Sequence, residues 1–226
     1  MPRRNRVDPW GDLNAVPERG MFTGNRGCLV DDAGRLVRHH NGPLWITCVT
    51  EFRDWQHQLD QPHTWTPLFF LDDAAALAAG HRPCGLCRRA DYLAYQAAVT
   101  AAIGADSPVL APELNRRLAD ERLSRGRGLV RAHDRILWSS RLDELPAGAV
   151  VIHPADGAPH LVTARRLQPF GFDGWGPPLE RPRGLRVHVL TPPTSIAALE
   201  YGFMPRLHPS APATPPGTGV QMSLDP

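Results

Sequence analysis

The sequence predicts an α+β fold, with a small antiparallel β-meander and its helices first, then a second α+β unit built around a curled antiparallel sheet. Three observations carry this. Short apolar runs bounded by Gly, Pro, Asn and Asp fill residues 27–71 and again 145–190, the pattern of strands joined by tight turns. Between them lie segments rich in Ala and Leu with recognisable caps. A hydrophobic content of 42% over 226 residues is enough for one core or two small ones.

Residues 1–20 are polar, punctuated by Pro and Gly, and read as a flexible arm. The runs Cys28-Leu29-Val30, Leu36-Val37 and Leu44 to Phe52, with Asp31-Asp32-Ala33-Gly34 and Asn41-Gly42 between them, predict a three-stranded meander. After a Gln- and Pro-containing loop, Trp65 to Leu71 makes a fourth strand. Asp72 and Asp73 suit a helix N-terminus, Ala74 to Ala79 its body and Gly80 its left-handed end. Pro83 fits the first turn of a second helix ending near Ile103, which would place Cys84 and Cys87 in that turn. Pro112 opens a third helix, to about Leu123.

Ala149 to Ile152, His160 to Val162 and Arg186 to Leu190 are the strands of the second sheet, and Thr191-Pro192 precedes a last helix reaching toward Gly202. The implied layout is an arm at 1–20, a first domain at 21–104, a second at 105–208 and a disordered tail at 209–226, rich in Pro, Ser, Thr and Gly.

No apolar run approaches the roughly 18 residues of a membrane helix, and Met1-Pro2-Arg3-Arg4-Asn5-Arg6 leads into no apolar segment, so the expectation is a cytoplasmic chain without a membrane partner. In that reducing compartment the four cysteines, at 28, 48, 84 and 87, point to metal or redox chemistry rather than to disulfides. Net charge is only +2, but all 25 basic residues are Arg, which excludes any lysine Schiff base. Eight arginines between 116 and 141 face three acids. That local excess is either a solvated helix face or a patch that tracks phosphate.

Cys84-Gly85-Leu86-Cys87 sets two thiols three residues apart, close enough to share one tetrahedral metal ion, and zinc is the expected cofactor. Backbone amides at a helix start would stabilise the thiolates, and Arg82, Arg88 and Arg89 would surround them with positive charge able to attract phosphate.

The run from Phe69 to Cys87, with its aromatic strand, Ala-rich helix and Gly80-His81-Arg82-Pro83-Cys84-Gly85-Leu86-Cys87 turn, resembles the second half of the N-terminal metal-binding domain of Ada, the bacterial methylated-DNA repair protein. The resemblance implies a small α/β fold with four cysteines on zinc, one of which accepts a methyl group from a DNA phosphotriester. Cys84 and Cys87 match that family's third and fourth ligands. Its first two, a close C-x-x-x-C pair, have no counterpart, since Cys28 and Cys48 stand twenty residues apart.

Cys48 is the best third ligand. Cys28, His39, His40 and His81 compete for the fourth place. Pro83-Cys84-Gly85-Leu86-Cys87 is also half of a zinc deaminase signature, but Cys48-Val49-Thr50-Glu51 sets ligand and acid one residue too far apart. His39-His40-Asn41 suggests an HNH nuclease, for which a second CxxC pair is missing.

The functional expectation is a zinc protein whose partner is nucleic acid, engaged in damage recognition or alkyl repair. Arg82, Arg88, Arg89, Arg116, Arg117, Arg125 and Arg127 are the candidate phosphate contacts. The alternative is a structural zinc with an unknown activity in the second domain.

Overall fold

The computed structural model describes residues 2–53 and 64–211. The expected loop across 54–63 and the expected tail from 212 onward lie outside the described residues.

The first residues are not a free arm. Strands β1 (Arg6–Val7) and β2 (Leu13–Asn14) form a hairpin, with Val7 and Leu13 each 1% exposed. The turn is written in the sequence, for Asp8-Pro9-Trp10-Gly11 has Asp first, Pro second and Gly fourth, a type I turn signature. The Asp8 carboxylate accepts from the Asp12 amide at 3.0 Å, and Gly11 takes φ +92°.

Four further strands complete a six-stranded sheet: β3 (Phe22–Asn25), β4 (Ile46–Cys48), β5 (Leu68–Phe70) and β6 (Arg82–Pro83), in the order β2-β1-β5-β3-β4-β6. The pairs β1/β5 and β4/β6 are parallel and the rest antiparallel.

The three-stranded meander is therefore corrected. Ile46–Cys48 pairs with Phe22–Asn25, not with 36–37, and residues 28–37 retain only one isolated bridge, Val30 to Leu36. The charged Asp31, Asp32, Arg35 and Arg38 leave that segment without a second apolar face, whereas Phe22 buries its ring beside Phe70. Asn41-Gly42 closes no hairpin; the Asn41 amide donates to the Arg26 carbonyl at 2.7 Å.

Helix α1 (Asp73–Ala78) forms as its caps dictate, with Asp72 Oδ1 accepting from the Ala75 amide at 3.0 Å and Gly80 at φ +86°. Residues 82–83 then continue as strand rather than helix, because the Arg82 and Cys84 amides donate to the Trp45 and Thr47 carbonyls of the neighbouring strand segment. The second helix, α2 (Arg89–Ala102), thus begins after both cysteines. Helix α3 (Ala111–Arg122) follows with Pro112 in its first turn.

The second sheet is wholly antiparallel: β7 (Trp138–Arg141), β8 (Val150–Ile152), β9 (Pro159–Val162), β10 (Arg166–Gly171), β11 (Gly174–Trp175), β12 (Leu179–Glu180) and β13 (Arg186–Val189), in the order β11-β10-β9-β8-β13-β7 with β12 also on β10. Helix α4 (Pro193–Glu200) packs on α2, where the Tyr95 and Ser195 hydroxyls meet at 3.0 Å. The chain is α+β, and one apolar cluster joins Tyr95 and Val99 to Val151, Val189 and Leu199. The two segments divided at residue 104 by their sequence pattern thus share a core. A second link is Asp72, whose Oδ2 accepts from Trp175 Nε1 at 2.6 Å and from the His208 amide at 3.0 Å.

Candidate metal centre

The centre is set by the parallel pairing of β4 and β6. Thr47 lies opposite Pro83, and the Cys84 amide donates to the Thr47 carbonyl at 2.9 Å, so the next residues along, Cys48 and Cys84, stand side by side. The chain then turns tightly. The Arg88 amide reaches back to the Cys84 carbonyl at 3.2 Å and the Leu86 amide points at Cys84 Sγ from 3.4 Å, which brings Cys87 round to the same point. The three sulfurs of Cys48, Cys84 and Cys87 all lie within 4.8 Å of one another.

Arg88 holds this turn in place. Its buried guanidinium makes a bidentate pair with Asp73, 2.6 and 2.8 Å, and also reaches Asp91 Oδ2 and Thr47 Oγ1, both at 2.9 Å. Its planar face lies 4.0 Å from the centre of the Phe22 ring. One side chain thereby ties α1, α2, β3 and β4 to the residue after Cys87.

The thiols share their protons unequally. Hydrogen bonds from Cys48 and Cys87, with the Cys87 and Leu86 amides, hold the Cys84 thiol down to about 2, while donation to Cys84 and Cys87 together with burial pushes Cys48 far up. Cys84 is therefore a thiolate stabilised by its neighbours' S–H groups, a place that a soft divalent cation fills by displacing those protons. Sulfurs bound to zinc at about 2.3 Å stand roughly 3.8 Å apart, so the three need only small rotations, and the donor set fits the ion.

All three cysteines also line a cleft of about 720 Å³ whose wall is otherwise largely apolar, including Ile46, Phe52, Phe69 and Leu86. Leu86, between the two close cysteines, is 58% exposed.

Cys28 does not join them; its Sγ faces the Val30 carbonyl at 3.5 Å in the loop after β3. His39 and His81 belong to a separate buried cluster around Arg26. Arg26 Nε donates to His81 Nε2 at 3.2 Å, its Nη1 lies 2.8 Å from His39 Nε2, and its guanidinium stacks 4.0 Å from the Trp45 ring. Burial, then the charge of Arg26, lowers His39 to about 2 and His81 well below the usual imidazole range, so both are neutral. His40 lies against His39 and Trp45. Among the described residues no fourth donor reaches the three sulfurs, and Glu51 is exposed and outside the group.

The expected phosphate contacts divide. Arg82 and Arg88 are buried, which corrects their assignment: Arg82 is bonded to Asn115 and the Pro83 carbonyl and lies 5.2 Å from the Tyr92 ring centre, and Arg88 is the brace just described. Arg116 pairs with Glu113 and Asp120, and Arg117 with Glu113. Arg89, Arg125 and Arg127 are exposed.

The bracing Asp73 and Thr47 and the Arg26 cluster were not expected, since nothing local in a sequence distinguishes a buried Arg from a solvated one. Comparison with protein-family models, with curated proteins and with solved structures finds no match to this chain.

Proposed function

We propose that this chain is a zinc-thiolate protein that contacts nucleic acid, with Cys48, Cys84 and Cys87 as the metal's protein ligands. The observation that carries the metal reading is the convergence of three thiols from two chain segments, 36 positions apart between Cys48 and Cys84, within 4.8 Å. Bound zinc would hold all three sulfurs as thiolates at neutral pH. Metal analysis of the natively purified protein tests it: about one zinc per chain is expected, falling to none in Cys84→Ser. Full zinc retention by that variant would overturn the assignment.

The order of strand β5, helix α1, the Gly80 turn and the CxxC follows the order that the Ada resemblance implies, which supports nucleic acid as partner. Placing the thiols on an open apolar cleft, instead of sealing them in the core, favours a reactive over a purely structural role, and alkyl groups suit that lining. Mass spectrometry after incubation with methylated DNA should show one added methyl on a cysteine. An unchanged mass would leave the zinc as a structural ion.

A further inference from the structure

A second cavity, of about 730 Å³, opens beside α3, away from the cysteines. Its volume falls in the ordinary range of small-ligand sites, about 300–1,000 Å³. It is lined by four arginines, 122, 125, 127 and 131, together with His40 and Pro43.

The charges around it do not cancel. Arg131 is matched, by Asp134 through its guanidinium and by Asp12 at its backbone amide, 2.6 Å. Arg122 has only carbonyl acceptors, Gly80 at 3.1 Å and Pro43 at 2.8 Å, and stacks 3.7 Å from the Trp45 ring. Arg125 and Arg127 form no ion pair among the described residues. Three guanidinium charges are thus left facing one concavity without a carboxylate.

The loop bearing Arg125 and Arg127 is seated. Arg131 Nη2 donates to the Ser124 carbonyl at 3.0 Å, the Ser124 amide donates to the Asp134 carbonyl at 2.8 Å, and a Cβ on Gly126 would lie 2.5 Å from Asp134 Oδ2. His40 reports the local field, because burial and then Arg26, Arg122 and Arg131 lower its imidazole to about 4.

We infer that this cavity binds a phosphate group, held by Arg125 and Arg127 against the fixed guanidinium of Arg122. Planar guanidinium forks match phosphate oxygens in pairs, and the concave wall concentrates their potential. Pro43 lines this cavity and Leu44 lines the cysteine cleft. Five residues separate Pro43 from Cys48, so a ligand reaching from one site to the other spans at most about 18 Å. The inference deepens the nucleic-acid part of the proposed function and rests on it only for the source of the phosphate.

The test uses the full zinc-loaded chain, inorganic phosphate followed by calorimetry, and a labelled single-stranded oligonucleotide followed by anisotropy over a salt series. The variants are Arg125→Ala/Arg127→Ala and its Arg→Lys counterpart, both at exposed positions, with zinc content confirming the fold. The Ala pair should weaken phosphate binding at least tenfold and flatten the oligonucleotide's salt dependence by about two units of log K per log salt. The Lys pair should keep the salt slope and lose part of the affinity.

Absence of phosphate binding to the unaltered chain at low ionic strength, or equal binding by the Ala pair, would overturn the inference. Oligonucleotide binding that persists under those outcomes would leave the nucleic-acid reading standing elsewhere on the surface. Phosphate binding through Arg125 and Arg127 with no oligonucleotide binding would uphold the cavity, remove the nucleic acid and make a small phosphorylated molecule the ligand.

Discussion

Replacing Arg88 with Met should cost about 3–5 kcal/mol, the magnitude seen when one partner of a buried ion pair is removed. The geometry explains the size. Asp73 is 2% exposed and receives two charge-assisted hydrogen bonds from Arg88, and without them the Arg206 amide at 3.0 Å is the remaining donor to its Oδ2. The loss of the guanidinium over Phe22 adds to this. For a chain of this size the change corresponds to roughly 6–20 °C in Tm.

Urea unfolding followed by tryptophan fluorescence measures it, with Asp73→Asn and the double variant completing a cycle. The double variant leaves no uncompensated buried charge and should recover a large part of the loss. Because Arg88 follows Cys87, Arg88→Met should also release zinc faster to a chelator. A loss below about 1 kcal/mol, or strictly additive single variants, would refute the claim that this pair anchors the cysteine turn.

Gly24→Ala should loosen the metal site from a distance: its Cβ would lie 2.2 Å from the Ile46 carbonyl oxygen, so β4 must move and Cys48 with it, and zinc affinity should fall at least tenfold in a competition titration. Tyr95→Phe should cost about 1 kcal/mol in urea unfolding, the worth of its buried hydrogen bond to Ser195. Acidification should destabilise the fold through His39. Its folded value near 2 lies below the unfolded value of about 6.5, so its contribution is complete above pH 6.5 and is lost as pH falls, about 2 kcal/mol between pH 7 and 5. His81 acts in the same direction. Asp8, raised to about 6 by burial, acts oppositely and returns about 1 kcal/mol over that interval. Urea midpoints at pH 7 and 5 should show a net loss, and an unchanged or higher midpoint at pH 5 would contradict neutral buried histidines.

The stretch from Leu68 to Gly80 is legible in the sequence because its signals are local: an apolar run, an aspartate cap, alanines and a glycine that must adopt positive φ. Helix α3 and the strands of the second sheet are legible for the same reason. Strand β3 is not, since Phe22-Thr23-Gly24-Asn25 has little strand character and is strand only because β4 and β5 flank it. The cysteines' place before α2, not within it, is likewise decided by distant carbonyls at Trp45 and Thr47. Cys84 and Cys87 were marked by spacing, and Cys48 by its place on an upstream strand. The arginines show the limit most clearly: Arg88 and Arg89 are adjacent and chemically identical, yet one is a buried brace and the other faces solvent.

The parallel pairing of β4 with β6 also orders events in time. Cys84 and Cys87 can chelate an ion while the chain is still open, since only two residues separate them. Cys48 arrives only when a segment of 36 positions has closed, at a chain-entropy cost of about 3 kcal/mol. A metal captured early by the close pair becomes a tether awaiting its third sulfur, and the strand that delivers that sulfur is the one that completes the sheet. Arrival of zinc during synthesis should therefore shorten the search for the native register of β4, so that the ion acts as a folding guide before it has any other role.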